Sequence, residues 1–427
     1  MAFAGSAIGL GNIWRFPYMV GKYGGAAFIL VYLAATLLLA IPMLLSETVI
    51  GRRSRSNTYG ALAALAPRSG WKWLSIPIAL TPLLILSYYS VVGGWGVEYL
   101  FKAVTSGFSG TPEAVPAEFE AFVSSPWKPI VAHTVFLLLT SGVILLGVKK
   151  GIEKFSKFTM PMLFFLIVLI IGYSLSLPGA ERGVEYLVRP DWSKITPAAA
   201  AAAMGQAFYS LSIGCGILLT YASYVREDEN LIFSAVGTAT ADMVFAVMAG
   251  FAVIPAVFAC GIEPEGGPGL VFQSLPYVFA KMGAGHHWLG GIIGGIFFLS
   301  ILIAALTSSI SMMEGMVAIL VDETRLGRRA ATGIIFLAAW LIGVCCAWKG
   351  SVFNFFDALT SNYMLPFGAL VFCLFAGWRL TETELRDELS NGGTLRGNRR
   401  VFPVVRFLIR YLAPVGVIAI FLTNLFL

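Results

Sequence analysis

Apolar runs long enough to cross a lipid bilayer follow one another down almost the whole chain. Taking ~20 residues as the length of one span, about eleven are expected, at 1–22, 26–51, 72–106, 128–148, 153–178, 197–226, 229–261, 288–322, 329–348, 352–379 and 402–427. Basic residues collect between alternate spans. Arg52, Arg53, Arg55, Arg68 and Lys72 follow the second, and Lys149, Lys150, Lys154 and Lys157 flank the start of the fifth. Arg325, Arg328 and Arg329 precede the ninth, and Arg386, Arg396, Arg399 and Arg400 precede the eleventh. Lys and Arg mark cytoplasmic loops, whereas 107–127, acidic and poor in basic residues, reads as an outer loop. The loop Arg226–Glu229 is net acidic and breaks the trend, but carboxylates weigh little in this rule. The chain is expected to start inside and end outside.

Two spans carry residues that an unbroken helix would not favour. The stretch Ala4–Tyr18, AGSAIGLGNIWRFPY, holds Gly5, Gly9 and Gly11 with Ser6 and Asn12, and each Gly weakens a helix by about 1 kcal/mol relative to Ala. The sixth span reads GQAFYSLSIGCGILLTYASY from Gly205, with Ser212, Gly214 and Gly216 in its middle. Unwound backbone survives at membrane depth only where it is packed in protein or lines a watery cavity. Both spans are therefore read as broken helices whose open carbonyls and amides face a small polar or charged ligand. They stand five spans apart, in matching places of two five-span halves, 1–178 and 197–379, with 402–427 as an extra helix. A pair of interrupted helices so placed points to the binding site of an inverted-repeat transporter.

Composition supports the membrane class, with 58% hydrophobic and only 12% charged residues against about 25% charged in soluble domains. The net charge of +6 is accounted for by basic inner loops, and no nucleic-acid partner is expected. The five cysteines, Cys215, Cys260, Cys345, Cys346 and Cys373, fall in or beside apolar spans without a CxxC pair, so free thiols are expected. No GxSxG, HExxH or Walker A sequence is present, which argues against an enzyme. The histidines are His133 and the pair His286–His287 at an outer loop end, where adjacent side chains point apart. Oligomeric state cannot be read: the Gly290–Gly291 and Gly294–Gly295 spacing fits packing within one bundle as well as between copies.

Ionisable residues inside spans are functional candidates by default. They are Glu47, Asp242, Glu314 and, near the start of the tenth span, Asp357. Glu47 and Glu314 are read as structural supports that accept hydrogen bonds from amides freed in a broken helix, with direct ligand contact as the alternative. Asp242 has no cationic neighbour in its span, so a bound cation is favoured as its partner. In the eighth span Ala304, Thr307, Ser308 and Met312 fall on one helical face. Such hydroxyls commonly back-bond to their own helix; opposite open carbonyls they would instead complete an oxygen cage for a hard cation.

The motifs GSAIGLGNIWRFPY with KYGGAAFILVYL, IPMLLSETVIGRR, KKGIEKFSKFTMP, GQAFYSLSIGCG with TYASYVR, and ALTSSIS resemble those of the neurotransmitter:sodium symporter family, in its bacterial amino-acid branch with eleven spans. The resemblance covers almost the whole chain. It implies an all-α integral membrane fold of two inverted five-helix repeats with helices 1 and 6 broken, like the leucine transporter, in the bacterial inner membrane. It also implies two sodium ions beside an amino-acid substrate.

Carried over by motif, the first sodium would be held by the Ala7 carbonyl, Asn12, Ser210 and Asp242, and the second by the carbonyls of Gly5, Ile8 and Ala304 and the hydroxyls of Thr307 and Ser308. The substrate carboxylate would meet the first sodium, the Tyr89 hydroxyl and the amides around Leu10 and Gly11, at a helix start that favours an anion. The ammonium would meet carbonyls near Ala7 and Tyr209, while Ile85, Tyr89, Ser212, Cys215 and Met312 line the side-chain pocket. Arg15 and Asp357 match an outer gate above a lid of Tyr89 and Tyr209, and Tyr224 and Asp322 an inner one. Chloride-dependent relatives carry Asn where this chain has Asp242, and Ser where it has Ala246, so no chloride is expected. Cys215 replaces a Phe of the leucine transporter, which favours a larger hydrophobic or aromatic amino acid. Met1 falls inside the expected first half-helix, so the Arg that usually precedes it is missing from the inner gate. Closure of the cytoplasmic side is then expected to fail, which leaves a non-transporting amino-acid sensor or an inactive truncated transporter as the rival reading.

Overall fold

The computed structural model of the chain describes residues 9–108, 114–146, 154–259, 261, 264, 270–282 and 287–426, and these contain helices and turns without a strand. The helices run α1 Phe16–Lys22, α2 Ala26–Ser54, α3 Thr58–Leu65, α4 Trp71–Thr105, α5 Ala114–Val123, α6 Lys128–Leu145, α7 Lys154–Ser176 and α8 Ala180–Val188. They continue with α9 Pro197–Ser210, α10 Ile217–Ala222, α11 Leu231–Ala259, α12 Leu270–Met282, α13 His287–Glu323, α14 Arg328–Trp348, α15 Gly350–Arg379, α16 Glu382–Ser390 and α17 Arg396–Thr423. Eight of them, α2, α4, α6, α11, α13, α14, α15 and α17, are long and apolar enough to cross a membrane. The pair Pro161–Ser176 and Ala180–Val188, bent by 116°, is a ninth candidate. Of the first expected span only 9–22 are among the described residues, and the sixth is interrupted.

In the sixth, α9 stops at Ser210 and α10 starts at Ile217, so 197–226 is two helices rather than one span. Three residues between them take left-handed backbone: Ser212 at φ 53°, Gly214 at φ 85° and Gly216 at φ 76°. Gly214 is required twice over, since a Cβ there would also collide with the Leu365 carbonyl of α15. In the first, Gly9 is a bend, a π-helical turn covers Gly11–Arg15, and α1 follows with Pro17 in its first turn.

The long helices α4 and α13 pack against each other and form, with α2 and α11, the frame around the two breaks. Short helices close the ends. The expected outer loop 107–127 contains α5, and α8, α12 and α16 were likewise not anticipated, since a span criterion passes over short amphipathic helices. At the inner end, Arg52 bonds Glu388 at 2.8 Å and Arg53 bonds Glu384 at 2.6 Å, tying α2 to α16. Arg52 and Arg53, two of the basic residues expected in that loop, thus hold carboxylates of the same chain. Cys215, Cys345, Cys346 and Cys373 are free thiols, while Cys260 and His286 lie outside the described residues.

Candidate functional site

Three separate segments converge on Asp242, which is fully buried on α11. Its Oδ1 accepts hydrogen bonds from Asn12 Nδ2 and Ser210 Oγ, each at 2.8 Å. Its Oδ2 accepts from the Tyr32 hydroxyl of α2 at 3.1 Å. The Asn12 amide is fixed at its other end, where Oδ1 accepts from Gly9 N–H at 3.1 Å. Among the described residues no Lys or Arg pairs with Asp242. A buried carboxylate met only by neutral donors is costly, and carboxylate, amide and hydroxyl oxygens at one point suit a hard cation. The groups that meet at Asp242 offer only oxygen ligands, the set a hard alkali cation takes. One turn on from Asp242, Ala246 is fully buried and offers no polar atom.

The second expected ion site is seen from α13 alone. Thr307 Oγ1 donates to the Ala304 carbonyl at 2.8 Å, the back-bond expected of a helical hydroxyl. Ser308 Oγ faces Gly9 so closely that a Cβ on Gly9 would collide with it. Gly5, Ala7 and Ile8 lie outside the described residues.

Between the two breaks is a cavity of about 30 Å³. Gly11, Ile85, Tyr89, Tyr209, Ser210, Ser212, Cys215, Ser308 and Met312, all expected from the sequence, meet at its wall. Gly9, Ile217 and Leu365 also line it. Ile217 stands two residues after Cys215, just beyond the quoted motif, so only its neighbourhood was legible, whereas Leu365 on α15 belongs to no motif. Leu10 contributes its backbone, its N–H donating to the Tyr89 hydroxyl at 3.1 Å. The cavity is polar toward Ser210, Ser308 and Tyr89 and apolar toward Ile85, Ile217, Met312 and Leu365.

The expected gates differ from their sequence reading. Arg15 Nη1 bonds Gln206 Oε1 at 2.9 Å, and the guanidinium lies 4.5 Å from the centroid of the Tyr209 ring. Gln206 Nε2 in turn donates to the Gly11 carbonyl at 3.3 Å. Arg15 and Asp357 share an outer cavity of about 420 Å³ but form no ion pair; Asp357 instead accepts from Ser361 Oγ at 3.2 Å. Gln206 and the Tyr209 face hold the guanidinium on their own side of the cavity, with its Nε buried and without an acceptor among the described residues. Asp322 accepts from Asn57 Nδ2 at 3.0 Å, while Tyr224 points outward, 65% exposed, so the expected inner pair is not formed. Here Asn57, the cap of α3, competes successfully for the carboxylate.

Glu47 accepts from Gly214 N–H at 3.0 Å and from Leu219 N–H at 3.4 Å, inside the break between α9 and α10. Glu314 corrects the sequence reading. Its carboxylate pairs with the Arg328 guanidinium at the start of α14 and meets no freed amide. Its partner is a cation at the start of α14.

Comparison with known proteins gives the same outline. The family model described as "Sodium:neurotransmitter symporter family" matches residues 1–111 and 123–427. The chain is 36% identical over 437 residues to the uncharacterized sodium-dependent transporter YhdH of Bacillus subtilis, covering 99% of this chain and 95% of that one. It is 28% identical to the sodium-dependent serotonin transporter of Drosophila melanogaster, over 88% of this chain and 66% of that one. Among solved structures, MhsT in complex with L-phenylalanine superposes with a TM-score of 0.91 at 37% identity, covering 99% and 97% of the two chains. Two broken helices around a buried carboxylate, in a chain of stacked apolar spans that matches this family over nearly its full length, identify a multi-pass membrane protein of the sodium:neurotransmitter symporter family, a transporter and not an enzyme.

Proposed function

We propose that the chain is a sodium-coupled symporter of a neutral, hydrophobic or aromatic amino acid, working by alternating access without chloride. The observation that carries this reading is the Asp242 cluster beside the cavity between the breaks. Asn12 and Ser210 reach the carboxylate from the two broken helices, so a cation there would hold both at once. The first sodium lies against Asn12, Ser210 and Asp242, with Ala7 as a further carbonyl ligand. The second lies between the α13 residues Ala304, Thr307 and Ser308 and the backbone of Gly5 and Ile8. The substrate carboxylate occupies the start of the helix at Leu10 and Gly11, where the first N–H groups have no intrahelical partner.

Sodium binding orders the broken helices and shapes the carboxylate pocket. Each ligand thereby stabilises the state that the other prefers, and this coupling is reciprocal. The halves 1–178 and 197–379 then rock about the midplane site. With Asp242 supplying a fixed negative charge, and Ala246 no donor for an anion, a chloride ion has no task.

An aromatic or large aliphatic side chain is supported by the small Cys215, the apolar wall of Ile85, Ile217 and Met312, and the phenylalanine bound by MhsT. At about 30 Å³ the cavity is closed down, so such a substrate enters by displacing Leu365 and Tyr209 outward. Equilibrium binding of labelled amino acids from Ala to Trp, in sodium and in potassium, tests the reading. Tighter binding of Phe or Leu than of Ala, lost in potassium, is the expected outcome, and equal binding in both salts would overturn it. Uptake into proteoliposomes with gluconate in place of chloride should be unchanged.

A further inference from the structure

Away from the transport site, the inner ends of α15 and α17 enclose a second built feature. Phe402, Arg406, Phe407, Arg410 and Tyr411 of α17, with Glu382 of α16, wall a cavity of about 190 Å³. Arg406 is paired with Glu382 at 2.6 Å. Arg410 has no carboxylate partner among the described residues, and its Nε is buried without a hydrogen-bond acceptor. Its guanidinium stands 4.2 Å from the Trp378 ring centroid and 5.6 Å from that of Tyr411.

The backbone fixes this arrangement. Trp378 Nε1 donates to the Arg410 carbonyl at 3.0 Å. Gly377 permits the close crossing, since a Cβ there would lie 3.0 Å from Arg410 Cα. Two arginines against one glutamate leave the pocket one positive charge in excess.

The surroundings say what sort of anion fits. The pocket lies at the end of the molecule that carries Arg379, Arg396, Arg399 and Arg400, the cytoplasmic end by the positive-inside rule. Trp378 and Tyr411 are half exposed, as aromatic side chains at headgroup depth are. Leading away from it, Phe407, Tyr411, Val415, Ile418 and Leu422 form an exposed stripe at steps of three and four along α17. A guanidinium prefers phosphate among the available anions, in two parallel hydrogen bonds. A free phosphate would leave the apolar stripe unused, whereas a lipid acyl chain would run along it.

We propose that this pocket binds the phosphodiester headgroup of an anionic phospholipid of the inner leaflet, with Arg410 as the principal contact and Arg406 shared between the lipid and Glu382. Basic pockets between transmembrane helices on the cytoplasmic side are known to suit such headgroups.

Native mass spectrometry of the full chain, released from micelles doped with phosphatidylglycerol or phosphatidylcholine, tests it. The expected result is at least a threefold preference for phosphatidylglycerol, abolished by R406Q/R410Q, while R396Q keeps it. Equal retention of the two lipids, or a preference untouched by the double variant, would overturn the proposal. Displacement of phosphatidylglycerol by inorganic phosphate would overturn the lipid assignment in favour of a small-anion site. Conversion of a dimer to a monomer by the double variant, with lipid preference unchanged, would assign the face to a second copy instead. Should R406Q/R410Q fail to fold, as read by its melting transition, R406Q alone cancels the excess charge and must lower the preference.

Discussion

The Asn12 side-chain amide donates to Asp242 Oδ1 at 2.8 Å across 230 residues of sequence. It joins the first broken helix to α11 and, through Ser210 on the same oxygen, to the second. Replacing Asp242 by Asn keeps the size and removes the charge. We expect D242N to weaken the apparent sodium affinity at least tenfold, about 1.4 kcal/mol. Sodium titrations of substrate binding measure this, and an unchanged titration would remove Asp242 from the ion site.

Glu47 is the support for the break between α9 and α10. E47Q keeps one carbonyl acceptor but turns an N–H₂ group toward either Gly214 N–H or Leu219 N–H. Hydrogen bonds to charged groups contribute about 1.5–3 kcal/mol each, so a fall of several degrees in Tm is expected by thermal unfolding in detergent. Substrate affinity should fall with it. A variant as stable and as tight as the parent would show that the break needs no carboxylate.

Gly214 offers a sharper version of the same test. An Ala there meets both the Leu365 carbonyl and a left-handed φ of 85°, a combination costing on the order of 1–3 kcal/mol before any repacking. G214A should bind substrate at least tenfold more weakly, whereas G205A, where a Cβ meets open space, should bind as the parent does.

Cys215 sets the volume of the apolar end of the cavity. C215F places a ring where a substrate ring would lie, so the ratio of Phe to Ala affinity should fall at least tenfold. A competition series against one labelled ligand reads the ratio directly. An unchanged ratio would place the substrate side chain elsewhere in the cavity.

On the inner face, the Thr381 backbone N–H holds the Glu384 carboxyl below its ordinary value of 4.5, and Arg53 adds to the effect. A depressed carboxyl stabilises the fold above its unfolded pKa and loses that contribution as pH falls through the folded value. Hydrogen exchange in α16 should therefore be constant from neutral pH down to about 5, once corrected for intrinsic rates, and should accelerate below the ordinary value. E384Q should remove the acid-dependent part, and a pH response identical to the parent would overturn the assignment.

Membrane class, the order of the spans and the two interrupted helices were legible in the sequence because each is a local property. Apolar run length, basic loops and glycines clustered inside an otherwise apolar span are all set by neighbouring residues. Most of the wall of the cavity was legible too, since Ser212 and Cys215 lie in a recognisable motif and the family resemblance carried over Ile85, Tyr89 and Met312. Contacts between distant segments were not. Tyr32 on Asp242, Gln206 under Arg15 and Asn57 on Asp322 carry no local signal, because a hydrogen-bonding side chain on a helix face has many geometrically equivalent partners until the helices pack. Glu314 and Glu47 looked alike as carboxylates inside apolar spans. Only packing decided that one meets freed amides and the other an arginine. Chain-local physics thus determined which segments cross and where they break; the tertiary structure decided which polar groups those breaks satisfy, because desolvation leaves each buried donor or acceptor to the partner that arrives within reach.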